Sequence, residues 1–134
     1  MANIYKNAGF NLTTTSKTDV YTVPANRNAI VKTIQTTNHA GSNIDTIGYI
    51  YDSSATTEYE IAHHTLGSKD SINFIDGTLV LESGDILRLE ANTANGISGV
   101  VSYLEIFDEK SAWYNWYIYQ MKKLMKRGIT LKVI

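Results

Sequence analysis

Apolar and polar residues alternate with a period of two through most of the first 107 positions, which is the rhythm of strands with one face buried. In Asp19-Val-Tyr-Thr-Val23, Val20 and Thr22 point one way, and Tyr21 and Val23 the other. Pro24-Ala-Asn-Arg-Asn28 reads as a turn, and the alternation resumes over Ala29–Asn38 with Ile30, Lys32, Ile34 and Thr36 opposed to Val31, Thr33 and Gln35. Similar runs cover Ile44–Tyr51, Thr57–His64, Ser71–Ile75, Thr78–Leu81, Ile86–Ala91 and Gly99–Phe107. Turn residues separate the runs, and Asp76-Gly77 is the strongest short turn signal among them. No helical stretch interrupts the series, so a parallel α/β sheet is not expected. The expected fold is all-β: an antiparallel β-sandwich or jelly roll of about seven to eight strands.

The period changes after Lys110. Trp113, Trp116, Tyr117, Met121 and Leu124 recur at steps of three and four, which places them on one stripe of a helix. Ser111 is the candidate N-cap, the helix is expected over about Ala112–Arg127, and Gly128 is its stop. A strand over Trp113–Tyr119 is the competing reading, because aromatic residues favour sheets. Ile129-Thr-Leu-Lys-Val-Ile134 alternates like one short strand. The chain thus divides into a β-sandwich body, residues 1–109, and a C-terminal basic aromatic arm, residues 110–134.

Charge sharpens this division. All thirteen acidic residues lie at or before Glu109, whereas the arm carries six cations, Lys110, Lys122, Lys123, Lys126, Arg127 and Lys132, and no acid. The formal net charge of −1 hides a strongly acidic body and a strongly basic arm. Opposite charge on two parts of one small chain points to contact between the arm and an acidic surface. Three surfaces fit: the chain's own sandwich, another subunit, or a membrane or nucleic acid. The reading adopted is docking on another subunit, with the last six residues adding a strand to a neighbour's sheet and with neither nucleic acid nor membrane as partner. Trp113, Trp116, Tyr117, Met121 and Leu124 would be its buried anchors. Lys122, Lys123, Lys126 and Arg127 would supply orientation and association rate.

A length of 134 residues fits one domain with a short extension. There is no cysteine, which removes thiolate catalysis, cysteine metal sites and disulfide staples, and fits a reducing compartment. The first twelve residues lack an apolar core of the kind found in signal peptides, so none is expected. No window is apolar enough for a membrane-spanning helix.

The candidate chemistry is thin. His63 and His64 are adjacent on a strand and so point to opposite faces, which prevents them from chelating one ion, and His39 has no second ligand at useful spacing. Glu58 and Glu60 share a strand face at a separation that could suit acid–base work, but solvated edge glutamates give the same pattern. Asp52, Asp70, Asp76 and Asp85 all sit in turns. Tyr49, Tyr51 and Tyr59 could form a sugar platform, with cross-strand tyrosine packing as the plainer explanation. The expectation is no enzyme activity, no catalytic residues, no metal and no cofactor.

Two stretches carry a family pattern. One is Tyr21–Asn38, with a Val23-Pro24-Ala25 turn and then Ile34-x-x-x-Asn38. The other is Leu79–Ala91, with Leu81-x-x-Gly84-Asp85-x-Leu87, continuing to Ser102-Tyr-Leu-Glu-Ile106. Over about residues 3–107 the chain resembles the small β-sandwich virion proteins of tailed bacteriophages. The resemblance implies a non-enzymatic structural role on the particle, in several copies, made in the host cytoplasm and located in the virion. Members serve as capsid decoration (cement) proteins or as neck, tail or fibre-associated components. Their partners are the major capsid or neck and tail proteins, and copies of themselves. The arm departs from the compact family pattern and favours a docking role between subunits. A carbohydrate- or receptor-binding module is the alternative, with the loops Asn38–Asn43 and Asn92–Gly96 as its site, although neither loop holds an aromatic ring.

Overall fold

A computed structural model describes residues 3–107 and the helix at 109–126, with side chains in that helix from 116 onward. Nine strands precede the helix: β1 (Asn3–Leu12), β2 (Thr18–Thr22), β3 (Arg27–Asn38), β4 (Ile44–Asp52), β5 (Thr57–Leu66), β6 (Ser71–Asn73), β7 (Leu79–Leu81), β8 (Ile86–Ala91) and β9 (Ile97–Phe107). The helix α1 spans Glu109–Lys126.

Two antiparallel sheets face each other. One has the order β1-β9-β3-β6, with β7 also on the free side of β3. The other has the order β2-β8-β4-β5. The pairs β1·β9, β2·β8, β3·β6/β7 and β4·β5 are nested about the middle of the chain. This is the rolled ribbon of a jelly roll. The expected seven to eight strands are matched once β6 and β7 are counted as two halves of one broken strand. Both pair with β3, at Gln35–Thr37 and at Ala29–Val31. The Asp76-Gly77 turn lies in the break, with Gly77 at φ 87°. It therefore interrupts a strand instead of joining a hairpin. The Asn73 carboxamide oxygen accepts a hydrogen bond from the Ile34 amide at 2.9 Å, so a side chain fills a ladder position at the break.

β1 lay outside the alternating runs read from the sequence. Its ten residues include three asparagines and a glycine, which disfavour strands. Tertiary pairing overrides that preference, because β1 runs antiparallel to β9 from Asn3↔Ile106 to Leu12↔Ile97. Leu12 and Phe10 enter the core.

Inward positions of both sheets fill the core, with Val31, Ile34, Ile44, Leu81, Leu87, Leu89 and Val101 fully buried. Gly48 makes room for one of its largest members, since a Cβ there would lie 2.7 Å from the Phe74 ring. The motif residues of the resemblance hold turns together. The buried Asn38 donates to the carbonyls of Ser42 (2.8 Å) and Leu66 (3.0 Å) and accepts from the Ala40 amide (2.9 Å). Asp85 accepts from the Ser53 amide (3.0 Å), the Ser53 hydroxyl (3.1 Å) and the Glu82 amide (2.9 Å), which ties the turn after β4 to the turn before β8. Gly84, at φ 86°, donates its amide to the Val23 carbonyl at 3.0 Å.

Candidate functional site

The helix starts at Glu109, so Ser111 lies within its first turn and is not the N-cap. The chain enters the helix almost directly from the sheet, because β9 ends at Phe107 and α1 begins at Glu109. The competing strand reading of Trp113–Tyr119 is excluded, because this stretch is helical. Trp116 is 59% exposed, and Tyr117, Tyr119 and Met125 are also exposed, while Met121 and Leu124 are half-buried. Lys122, Lys123 and Lys126 are exposed in the last turns. Trp113 lies on the helix, but its side chain falls outside the described residues, as do Arg127, Gly128 and the expected strand Ile129–Ile134. Among the described residues, no strand packs along α1. From residue 116 onward the helix thus exposes Trp116 and Tyr119 together with cations.

A second apolar surface was missed in the sequence. Tyr5, Leu104, Ile30 and Val80 fall opposite one another in register across β1, β9, β3 and β7. Their sequence neighbours Tyr103, Glu105, Ala29, Val31 and Leu81 point into the core, so this row lies on the outer face of the sheet. Its ends are open to solvent, with Tyr5 77% and Val80 71% exposed. The signal was available: Leu79-Val-Leu81 and Tyr103-Leu104 are apolar at consecutive positions, which strict alternation with a wet outer face does not require.

The outer face of the other sheet is polar and internally satisfied. Glu58 pairs with Lys17 and, at 2.9 Å, with Arg88, and Arg88 also pairs with Asp19 at 2.7 Å. Hydrogen bonds from Lys17 and then Arg88 hold the Glu58 carboxyl below its usual range. Lys17 lies 4.2 Å over the Tyr49 ring, and Arg88 lies 5.2 Å from the centre of Tyr51. The Tyr49 hydroxyl donates to Glu90 at 2.9 Å. Burial, then this bond, pushes its pKa up to about 12. The three tyrosines form neither a sugar platform nor a tyrosine cluster. Tyr49 and Tyr51 oppose Glu60 and Glu58, whereas Tyr59 opposes Ile50 and so faces the other way.

The two adjacent histidines diverge as strand geometry requires. His64 Nε2 lies 3.0 Å from the Phe74 carbonyl, and its ring meets the Phe74 ring edge-on, while His63 Nδ1 lies 4.0 Å from Glu60 on the outer side. Among the described residues, no three metal-ligating side chains converge. No described helix is long and apolar enough to cross a membrane.

At the end of the sandwich from which α1 leaves, one carboxylate is buried. Glu105 is 1% exposed and meets Lys6 at 2.9 Å, Arg27 at 3.3 Å and the Tyr21 hydroxyl at 3.3 Å. Burial opposes its ionisation, but the bond and charge of Lys6, with help from Arg27 and Tyr21, hold its carboxyl below the usual range. The same environment raises Tyr21, first through burial and then through the Glu105 charge. Tyr21 and Tyr103 pack with ring centres 4.0 Å apart, and Arg27 lies 4.2 Å over Phe107, the last residue of β9. Every member has a partner within the cluster, so the arrangement suits bracing of the arm's base better than proton transfer.

No family model matches the chain. No curated protein matches it either. Among solved structures, it is similar to a Bacillus endospore appendage from a family of disulfide-linked pili, at 11% identity and a TM-score of 0.48 over 79% of this chain and 86% of that one. It is also similar to a pentameric capsid protein from metagenomic phage sequences, at 18% identity and a TM-score of 0.43 over 78% of this chain and 64% of that one. A third is the virus-like particle of the extra small virus of the prawn Macrobrachium rosenbergii, at 13% identity and a TM-score of 0.34 over 78% of this chain and 80% of that one.

Proposed function

We propose that this chain is a non-enzymatic structural protein of a virus particle, a capsid decoration protein held in place by its C-terminal arm. The observation that carries this reading is the contrast at α1. In the sandwich, Glu105, Glu58 and Arg88 are paired with neighbours, whereas the helix exposes Trp116, Tyr119 and three lysines. A jelly roll is an architecture used by viral capsid domains. The resemblance over residues 3–107 points the same way. The arm anchors the chain through protein–protein contact: its rings desolvate against a neighbour, and its lysines meet acidic residues there.

The test is incorporation. In cells that encode the chain, density-purified particles should contain it in many copies. Trp116→Ala should lower its copy number about tenfold, as expected for loss of an aromatic anchor, while the melting temperature of the purified variant stays unchanged. Absence of the chain from purified particles overturns the virion role. Normal incorporation of Trp116→Ala overturns arm anchoring. Labelled chains found at the neck or tail instead of the capsid shell overturn the decoration role and leave the virion role standing.

A further inference from the structure

The two sides of the sandwich differ. On one side β1 packs against β2 and β8 and closes the gap between the sheets. On the other side β5 ends one sheet and the broken strand β6–β7 ends the other. Between them lies a hollow of about 590 Å³, lined on its apolar side by Ile61, Ala62, Phe74, Ile75 and Leu79. His64 spans part of the gap through its contact with the Phe74 carbonyl. Ile61 has no partner on β4, because the register shifts between Gly48 and Tyr49. Among the described residues, the second edge of β5 pairs with no strand over Thr57–Leu66. A ten-residue free edge beside a hollow of mixed lining, with His63, His64, Asn73 and Asp76 as its polar members, is a template for one more strand.

We infer that this open side receives residues 129–134 of a second copy, added as a strand to β5. This rests on the reading of the arm as an assembly device and names its receiver. The sequence pattern of the segment fits both faces of the edge. As a strand, Ile129, Leu131 and Val133 share one side, and Thr130, Lys132 and the terminal Ile134 the other. The apolar side matches the hollow. Lys132 then falls on the outer face, where Glu60 is half exposed, opposite Tyr49 and 4.0 Å from His63. The donor belongs to another copy because of α1. Eighteen helical residues carry the chain about 27 Å. Trp116 and Tyr119 stay exposed on that helix, which fits a donor that reaches a second copy.

The chain has no cysteine, so engineered thiols report proximity cleanly. Ile61→Cys and Leu131→Cys are made as separate full-length chains, mixed under reduction and then oxidised. The mixed disulfide should exceed either self-pair by about tenfold. Leu131→Asp should weaken self-association by about tenfold or more, as expected when a buried leucine is replaced by a charge, with sandwich circular dichroism unchanged. Statistical pairing of the thiols overturns the inference. So does an intramolecular disulfide in the dilute double variant, or a full-length chain that is monomeric by light scattering. If Leu131→Asp stays oligomeric while Trp116→Ala becomes monomeric, the strand is overturned and arm anchoring stands. If both stay oligomeric, both readings fall.

Discussion

The sandwich and the arm solve the problem of charge and apolar surface in opposite ways. In the sandwich, Glu105 enters the core but brings Lys6, Arg27 and Tyr21 with it, and Glu58 is matched by Lys17 and Arg88. On α1, Lys122, Lys123 and Lys126 stand in solvent beside exposed rings. A buried charge persists only where partners offset its lost hydration. An exposed ring loses nothing until it meets a surface that excludes water. The two regions should therefore respond to different measurements: substitutions in the sandwich should move the melting temperature, and substitutions on the arm should move the mass in solution.

The hardest blow to the sandwich half of that comparison falls at Gly99. A Cβ at this position would lie 2.0 Å from the Gln35 carbonyl oxygen and 2.7 Å from the Phe10 ring. The oxygen belongs to the backbone of β3, which is locked between β9 and β6, so it cannot step aside cheaply. Gly99→Val is expected to cost about 3 kcal/mol or more, at the upper end of overpacking penalties, and to lower the denaturation midpoint without changing the mass of whatever remains folded. A midpoint equal to that of the parent chain would show that β3 and β9 can slide apart.

Glu105 tests whether charge pairing holds the end of the sandwich where the arm begins. Its folded carboxyl titrates below the ordinary glutamate range because Lys6 and Arg27 outweigh burial. A depressed carboxylate contributes stability that is fully present above the unfolded value, about 4.3. That contribution is lost as pH falls through the lower folded value. Glu105→Gln keeps the shape and removes the charge. It should cost about 2 kcal/mol at pH 7, typical of hydrogen bonds to a charged group, and the difference from the parent should shrink toward pH 3 in urea unfolding. A difference that stays constant with pH would assign the role to shape alone.

Much of this architecture was legible because one face of each strand is buried, so period two survives in the sequence. β3, β4, β5, β8 and β9 lie where alternation puts them, within a few residues at their ends. β1 was hidden because Asn3, Asn7, Asn11 and Gly9 carry little strand preference, and only its pairing with β9 makes it a strand. The break between β6 and β7 was half legible. Asp76-Gly77 announced a turn, but no local signal says whether the flanking strands pair with each other or with a third. The helix was legible from the spacing of Trp113, Trp116, Tyr117, Met121 and Leu124, and its start was misplaced by three residues, at Ala112 instead of Glu109, because Ser111 is a strong cap type. The row from Tyr5 to Val80 and the hollow beside β5 arise from register between distant strands, which no single stretch records.

The smallest effect has the opposite sign and comes from inside the sandwich. Thr46 is fully buried, and its hydroxyl has no hydrogen-bond partner among the described residues. It sits on β4 opposite His64 on one side and Ala91 on the other. A buried hydroxyl without a partner keeps its desolvation penalty, whereas valine fills nearly the same space with a methyl group. Thr46→Val should therefore raise stability by about 1 kcal/mol, seen as a higher urea midpoint with the same slope. Because His64 also borders the hollow, the variant reports on the link between core and assembly surface. An unchanged mass in solution would keep the two regions separable. A lower midpoint would mean that the hydroxyl is satisfied in solution and that valine strands its partner.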